Sequence, residues 1–84
     1  MSTYNGYESY DHWNTALWLN NDEKLYNLMM NETEQAVYMK QTIAAAVYNI
    51  IFQLPEKTPD GAEWRGDTIA DLVLENYNEM LEHS

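Results

Sequence analysis

Between Asn31 and Leu54 the chain reads NETEQAVYMKQTIAAAVYNIIFQL, and Pro55 follows. Ala36, Val37, Ile43, Ala44, Val47, Ile50, Ile51 and Leu54 recur at three- and four-residue steps, the period of a helix with one buried stripe. Asn31 is placed to cap its start with Glu34 completing a capping box, and Pro55 stops it at Leu54. The spacing therefore predicts one helix of roughly 23 residues, about 35 Å long, against which the rest of the chain packs. Ala44, Ala45 and Ala46 keep its middle slim, so that neighbouring helices can come close.

Eighty-four residues predict a single domain over 1–84, near the size at which a core holds without a covalent or metal staple. With no cysteine, neither a disulfide nor a thiolate metal site is available. No apolar run is long enough to span a bilayer, and no basic-then-apolar leader opens the sequence, so a soluble, cytoplasmic protein is expected. Fourteen acidic residues against four basic ones give a formal net charge of −10. That balance disfavours direct binding to nucleic acid and directs attention to a basic partner.

Asn5-Gly6 signals a turn between two tyrosines, and Ser9 caps a helix through about Asn20. On that helix Tyr10, Trp13, Ala16 and Leu17 form the expected core side, with His12 on the outer side. Asn20 and Glu23 suggest a stop and restart into a short helix carrying Leu25, Leu28 and Met29 inward, set off from the long helix at Asn31 by a break or, with Glu32-Thr33-Glu34 as a second capping signal, by a kink. PEKTPDGAEWRG, 55–66, is the one loop, with a reverse turn at Pro59-Asp60-Gly61 and Trp64 tucked beneath as a lid. Asp67 or Thr68 caps a last helix to about Glu82, buried through Ile69, Val73, Tyr77 and Met80. The fold class expected is all-α, with four helices of unequal length.

On that last helix Asp67, Asp71, Glu75, Glu79 and Glu82 share a sector about 120° wide. Members four apart rise about 6 Å, close to the step between phosphates of a nucleic-acid strand. The helix holds no Lys or Arg, like charges at i, i+4 cost a few tenths of a kcal/mol, and Glu79 and Glu82 stand at the unfavourable end of the dipole. Local stability does not explain this stripe, whereas recognition of a basic surface does. Asp22, Glu23, Glu32 and Glu34 form a second acidic cluster that helix capping accounts for more readily. Glu32 and Glu34 join the stripe as candidate partner-binding residues, with Trp18 and Tyr38 as aromatic anchors and Tyr48 beside them.

His12 and His83 are the only histidines, and no HxxxH or ExxH spacing supplies a metal site. No nucleophile at motif spacing, glycine-rich phosphate loop or oxyanion hole appears. No enzyme activity, catalytic residue, cofactor or metal is expected.

The run YNGYESYDHWNTALWLNNDEKLY, 4–26, resembles a small family encoded largely by bacteriophages and mobile elements. Its pattern is NGY/W, a spacer, TWN, an aliphatic, ALW, an aliphatic, NNDE, two residues and Y. Asn5, Gly6, Trp13, Asn14, Ala16, Leu17, Trp18, Asn20, Asn21, Asp22, Glu23, Leu25 and Tyr26 match it, and DLVLENYNEMLEHS is similar to the family's ending. His12 and Thr15 depart from it. The resemblance implies an origin and brings no chemistry; Trp13, Leu17 and Tyr26 read as apolar bulk and Asn20 to Glu23 as a tight corner.

A phage-like origin, a small helical domain and a one-signed helix lead to an expectation of an anti-CRISPR-like inhibitor. It would bind the basic nucleic-acid-binding surface of a host defence protein through its acidic helix. The alternative is a module that binds another host protein, a transcription factor or nuclease, by apolar helix-in-groove contacts. A homodimer through the alanine-rich seam is compatible with either.

Overall fold

The computed structural model describes residues 4–83 and forms four helices: α1 (Tyr10–Asn21), α2 (Glu23–Tyr38), α3 (Ile43–Gln53) and α4 (Gly66–Glu82). The all-α architecture agrees with the sequence; the arrangement differs. The middle of the fold is the pair α2 and α4, each packed against the other and against both remaining helices, while α1 and α3 lie on opposite sides and do not meet.

The single helix expected over Asn31–Leu54 is two helices. Asn31 caps nothing and lies inside α2, which takes in the short helix expected before it. The break comes instead at Met39, whose N–H still bonds Gln35, and at Lys40, whose φ of 57° is left-handed. Thr42 then caps α3 by accepting from Ala45 N–H at 3.0 Å. No glycine or proline marks this break, so an apolar period running across it read as continuous. Pro55 does end α3 at Leu54, whose N–H bonds Ile50 and Ile51.

Asp22, not Asn20, is the joint between α1 and α2. It closes α1 through its N–H on Trp18 and opens α2 by accepting from Leu25 N–H at 3.0 Å. At the other end Ser9 caps α1 as expected, and Asn5-Gly6 forms the turn that pairs Tyr4 with Tyr7. α4 starts at Gly66, and Arg65, two residues before Asp67 and three before Thr68, occupies the N-cap position without a side-chain bond.

The core joins Leu19 from α1, Met29 and Ala36 from α2, Ala46 and Ile50 from α3, and Ile69 and Val73 from α4. α1 is turned from its expected orientation: Tyr10 is exposed, while His12, Asn14, Thr15 and Leu19 are buried alongside Ala16. Polar interactions explain the rotation. Thr15 Oγ1 accepts from Arg65 N–H at 3.0 Å and lies within donating distance of the Asp11 carbonyl, 2.8 Å. Trp13, Tyr10 and Tyr4 pack instead as a half-exposed aromatic cluster, with centroids 4.8–5.7 Å apart.

The loop between α3 and α4 is closed by Gly61 N–H on the Thr58 carbonyl at 2.8 Å and by Ala62 N–H on Thr58 Oγ1 at 2.9 Å. Trp64 packs against the core as the lid expected and donates its indole N–H to the Pro55 carbonyl at 2.8 Å. Asp60, at the tip, accepts on one oxygen from both Asn14 Nδ2 (2.8 Å) and Trp18 Nε1 (2.9 Å). Two residues of the family-like motif therefore act as a clasp for a loop more than 40 positions away.

Candidate binding surface on the last helix

α4 buries Thr68, Ile69 and Val73 and turns the opposite side outward. All five of its acids, Asp67, Asp71, Glu75, Glu79 and Glu82, are exposed, so the helical period places them as expected. No basic residue occupies its last turn. Among the described residues, Asp71, Glu75, Glu79 and Glu82 form no ion pair.

Asp67 differs from the other four. Its Oδ2 accepts from His12 Nε2 at 2.9 Å, its Oδ1 accepts from Thr68 N–H at 3.0 Å, and Arg65 Nε stands 3.7 Å away. Partial burial pushes this carboxyl up, but the bonds from His12 and Thr68 and the charges of His12 and Arg65 outweigh it and hold the group below its ordinary range. A carboxylate only accepts, so Nε2 of His12 carries the proton. Nδ1 lies 2.6 Å from Ser9 Oγ, a hydroxyl that can rotate to serve as donor or acceptor.

Placing His12 on the outer side of α1 is thus corrected: it is buried and ties α1 to the first turn of α4. Glu8 Oε2 is 3.6 Å from the same Nε2. Glu8, His12 and Asp67 offer three ligand atoms within 4.8 Å of one another, a donor set that could hold a cation. Motif spacing could not reveal it, because His12 and Asp67 are 55 positions apart.

These residues open onto a cleft of about 380 Å³ between the N-terminal turn and α4. Tyr7 and Glu8 form one wall, Asp67, Asp71 and Glu75 the other, with His12 at the base. Four carboxylates around one concavity suit an ammonium or guanidinium group.

The remaining candidates are scattered. Glu34 is exposed on α2, and Tyr38 is 64% exposed at that helix's end. Glu32 is buried, accepting from Asn49 Nδ2 (3.4 Å) and Gln53 Nε2 (3.2 Å), so its carboxylate joins α2 to α3 rather than facing a partner. Trp18 is half-buried with its indole N–H committed to Asp60.

The fold and this surface define a small all-α domain with an acidic helix face, on which Asp71, Glu75, Glu79 and Glu82 form no ion pair among the described residues. The chain belongs to a family of unknown function, DUF7249, whose model matches residues 1–84. No curated protein and no solved structure matches it.

Proposed function

We propose that this protein is a phage-encoded, anti-CRISPR-like inhibitor that occupies the basic nucleic-acid-binding surface of a host defence protein in the bacterial cytoplasm. The observation that carries the reading is the set Asp71, Glu75, Glu79 and Glu82, exposed on one rigid face with no cation of their own among the described residues. Each stands where a phosphate of the displaced nucleic acid would, and the cleft beneath Glu8, Asp71 and Glu75 receives one Lys or Arg side chain. Inhibition is stoichiometric and needs no turnover, cofactor or metal. Long-range attraction speeds association, and added salt slows it.

The test is capture from bacterial lysate with salt titrated across the wash, beside the double variant Glu75→Lys/Glu79→Lys. Mimicry requires a captured protein that nucleic acid displaces, released by salt and lost with the double variant at unchanged helical content. Capture that survives charge reversal would discard it.

A second reading has its own support. An apolar groove of about 500 Å³ between α3 and α4, lined by Ile43, Val47, Tyr48, Ile51 and Ala70 among others, would suit a partner's amphipathic helix. Under that reading Tyr48→Ala, and not the α4 reversal, abolishes capture.

A further inference from the structure

α3 does not look like a surface helix. Its sequence, IAAAVYNIIFQ, contains no charge, and its two polar side chains, Asn49 and Gln53, both donate to Glu32 of α2. Every other residue is apolar or aromatic, yet only Ala46 and Ile50 are buried. A helix apolar on nearly every side belongs inside a structure. Here Tyr48 is 70%, Phe52 79% and Ile51 43% exposed. At about 100° per residue, Ile51, Ala44, Tyr48, Phe52 and Ala45 follow one another around a continuous arc of about 120°. The arc borders the groove shared with α4.

We propose that a second copy of this chain covers this arc, α3 against α3 about a two-fold axis. Charge selects the occupant. All fourteen acidic residues lie before residue 35 or after residue 55, and Lys40 is the only charge between. Two molecules of net charge −10 repel most where acids line the contact, and α3 brings none to it. The carboxylates nearest to α3 include Glu32, bonded to Asn49 and Gln53, and Glu56 and Glu63, which line a shallow pocket beside Ile51. Repulsion across the seam is confined to them and weakens as salt shortens the screening length below about 8 Å. A cationic partner finds nothing to pair with on α3; an uncharged arc is complementary to itself, as an isologous contact requires.

Area agrees. Aromatic side chains bury about 150–250 Å² each, so Tyr48 and Phe52 together offer roughly 200–400 Å². With Ile51, Ala44, Ala45 and the groove edge, each copy contributes about 400–600 Å². The total, roughly 800–1,200 Å², stands at the small end of specific interfaces and corresponds to a reversible dimer rather than an obligate one. Ala44, lying between Ile51 and Tyr48 on the arc, lets the two backbones come close there.

The test is sedimentation equilibrium of the full chain from micromolar to near-millimolar concentration, at 0.15 M and 0.5 M NaCl. The expected mass rises from the 9.9 kDa monomer to twice that value, with more dimer at the higher salt. Phe52→Glu and Tyr48→Glu place a charge on side chains that are already exposed; each should weaken dimerisation by roughly tenfold or more with helical content retained. Because the chain has no cysteine, Ala44→Cys gives an independent measurement: oxidation should link it to its copy, while Asn78→Cys on α4 should not link. A monomeric mass throughout, an unchanged dimer in both glutamate variants, or equal linking at the two cysteine positions would each overturn the assignment.

Discussion

Asp60 is exposed, yet it does structural work through a single oxygen shared by Asn14 and Trp18. Those bonds, Asn14's first and Trp18's second, outweigh a small desolvation effect and hold its carboxyl below the ordinary range. A carboxyl depressed on folding contributes its full stability above its unfolded pKa, about 3.9, and loses it as pH falls through the folded value. Asp60→Asn should therefore lower Tm at pH 7, and the difference from wild type should shrink as pH drops below about 4; thermal melts of both proteins at stepped pH check it. Lys40 is the converse case, a side chain in a conformation that suits glycine. A non-glycine residue there costs about 1–2 kcal/mol, and glycine forfeits about 0.5–1 kcal/mol of chain entropy, so Lys40→Gly should stabilise by roughly 0.5–1 kcal/mol in urea unfolding. Neither role was legible in the sequence. Asp60 read as a turn residue because its partners are 42 and 46 positions away, and Lys40 has no propensity that announces a break.

Elements whose ends carry local chemistry were legible: Ser9 opened α1, Pro55 closed α3, and the apolar period of α4 put its acids outward. Elements defined by what they touch were not. The orientation of α1 depends on Thr15 and His12 reaching the start of α4, and no period within α1 encodes that. Glu32 shows the same limit, because an acid near a suspected helix start is instead the acceptor for α3's two side-chain amides. Hydrogen bonds to a charged group are worth about 1.5–3 kcal/mol each at good geometry; the two made by Glu32 are long, at 3.4 and 3.2 Å, so Glu32→Ala should destabilise by roughly 1.5–3 kcal/mol for the pair together. α4 has the opposite balance. Glu75→Lys and Glu79→Lys each relieve like-charge spacing, and the latter also suits the helix dipole, so each should raise stability by a few tenths of a kcal/mol, while under the proposed function the two together abolish partner capture. Gain in stability with loss of binding is the signature of a face retained for recognition; loss of both would mark the acids as structural.

At the scale of the whole molecule, the excess charge has little internal compensation. The exposed pairs Lys57–Glu63 and Arg65–Asp67, each at 3.7 Å, contribute at most a fraction of a kcal/mol. Repulsion among the remaining carboxylates is therefore a property of the entire surface, and its range is set by salt. At 20 mM ionic strength the screening length is about 20 Å, comparable with the 21 Å short axis of the molecule, so charges on opposite sides still interact. At 0.5 M it falls to about 4 Å, and only adjacent carboxylates do. Tm should accordingly rise between those salts, while capture of a cationic partner weakens over the same range. The two dependences have opposite signs because they arise from the same charges: the folded chain gains when its acids stop sensing one another, and the proposed complex loses when they stop sensing the partner. Calorimetry and capture across one salt series measure both. A Tm that does not move would mean that the acids are already compensated where they stand, and α4 would then have no surplus charge to offer a partner.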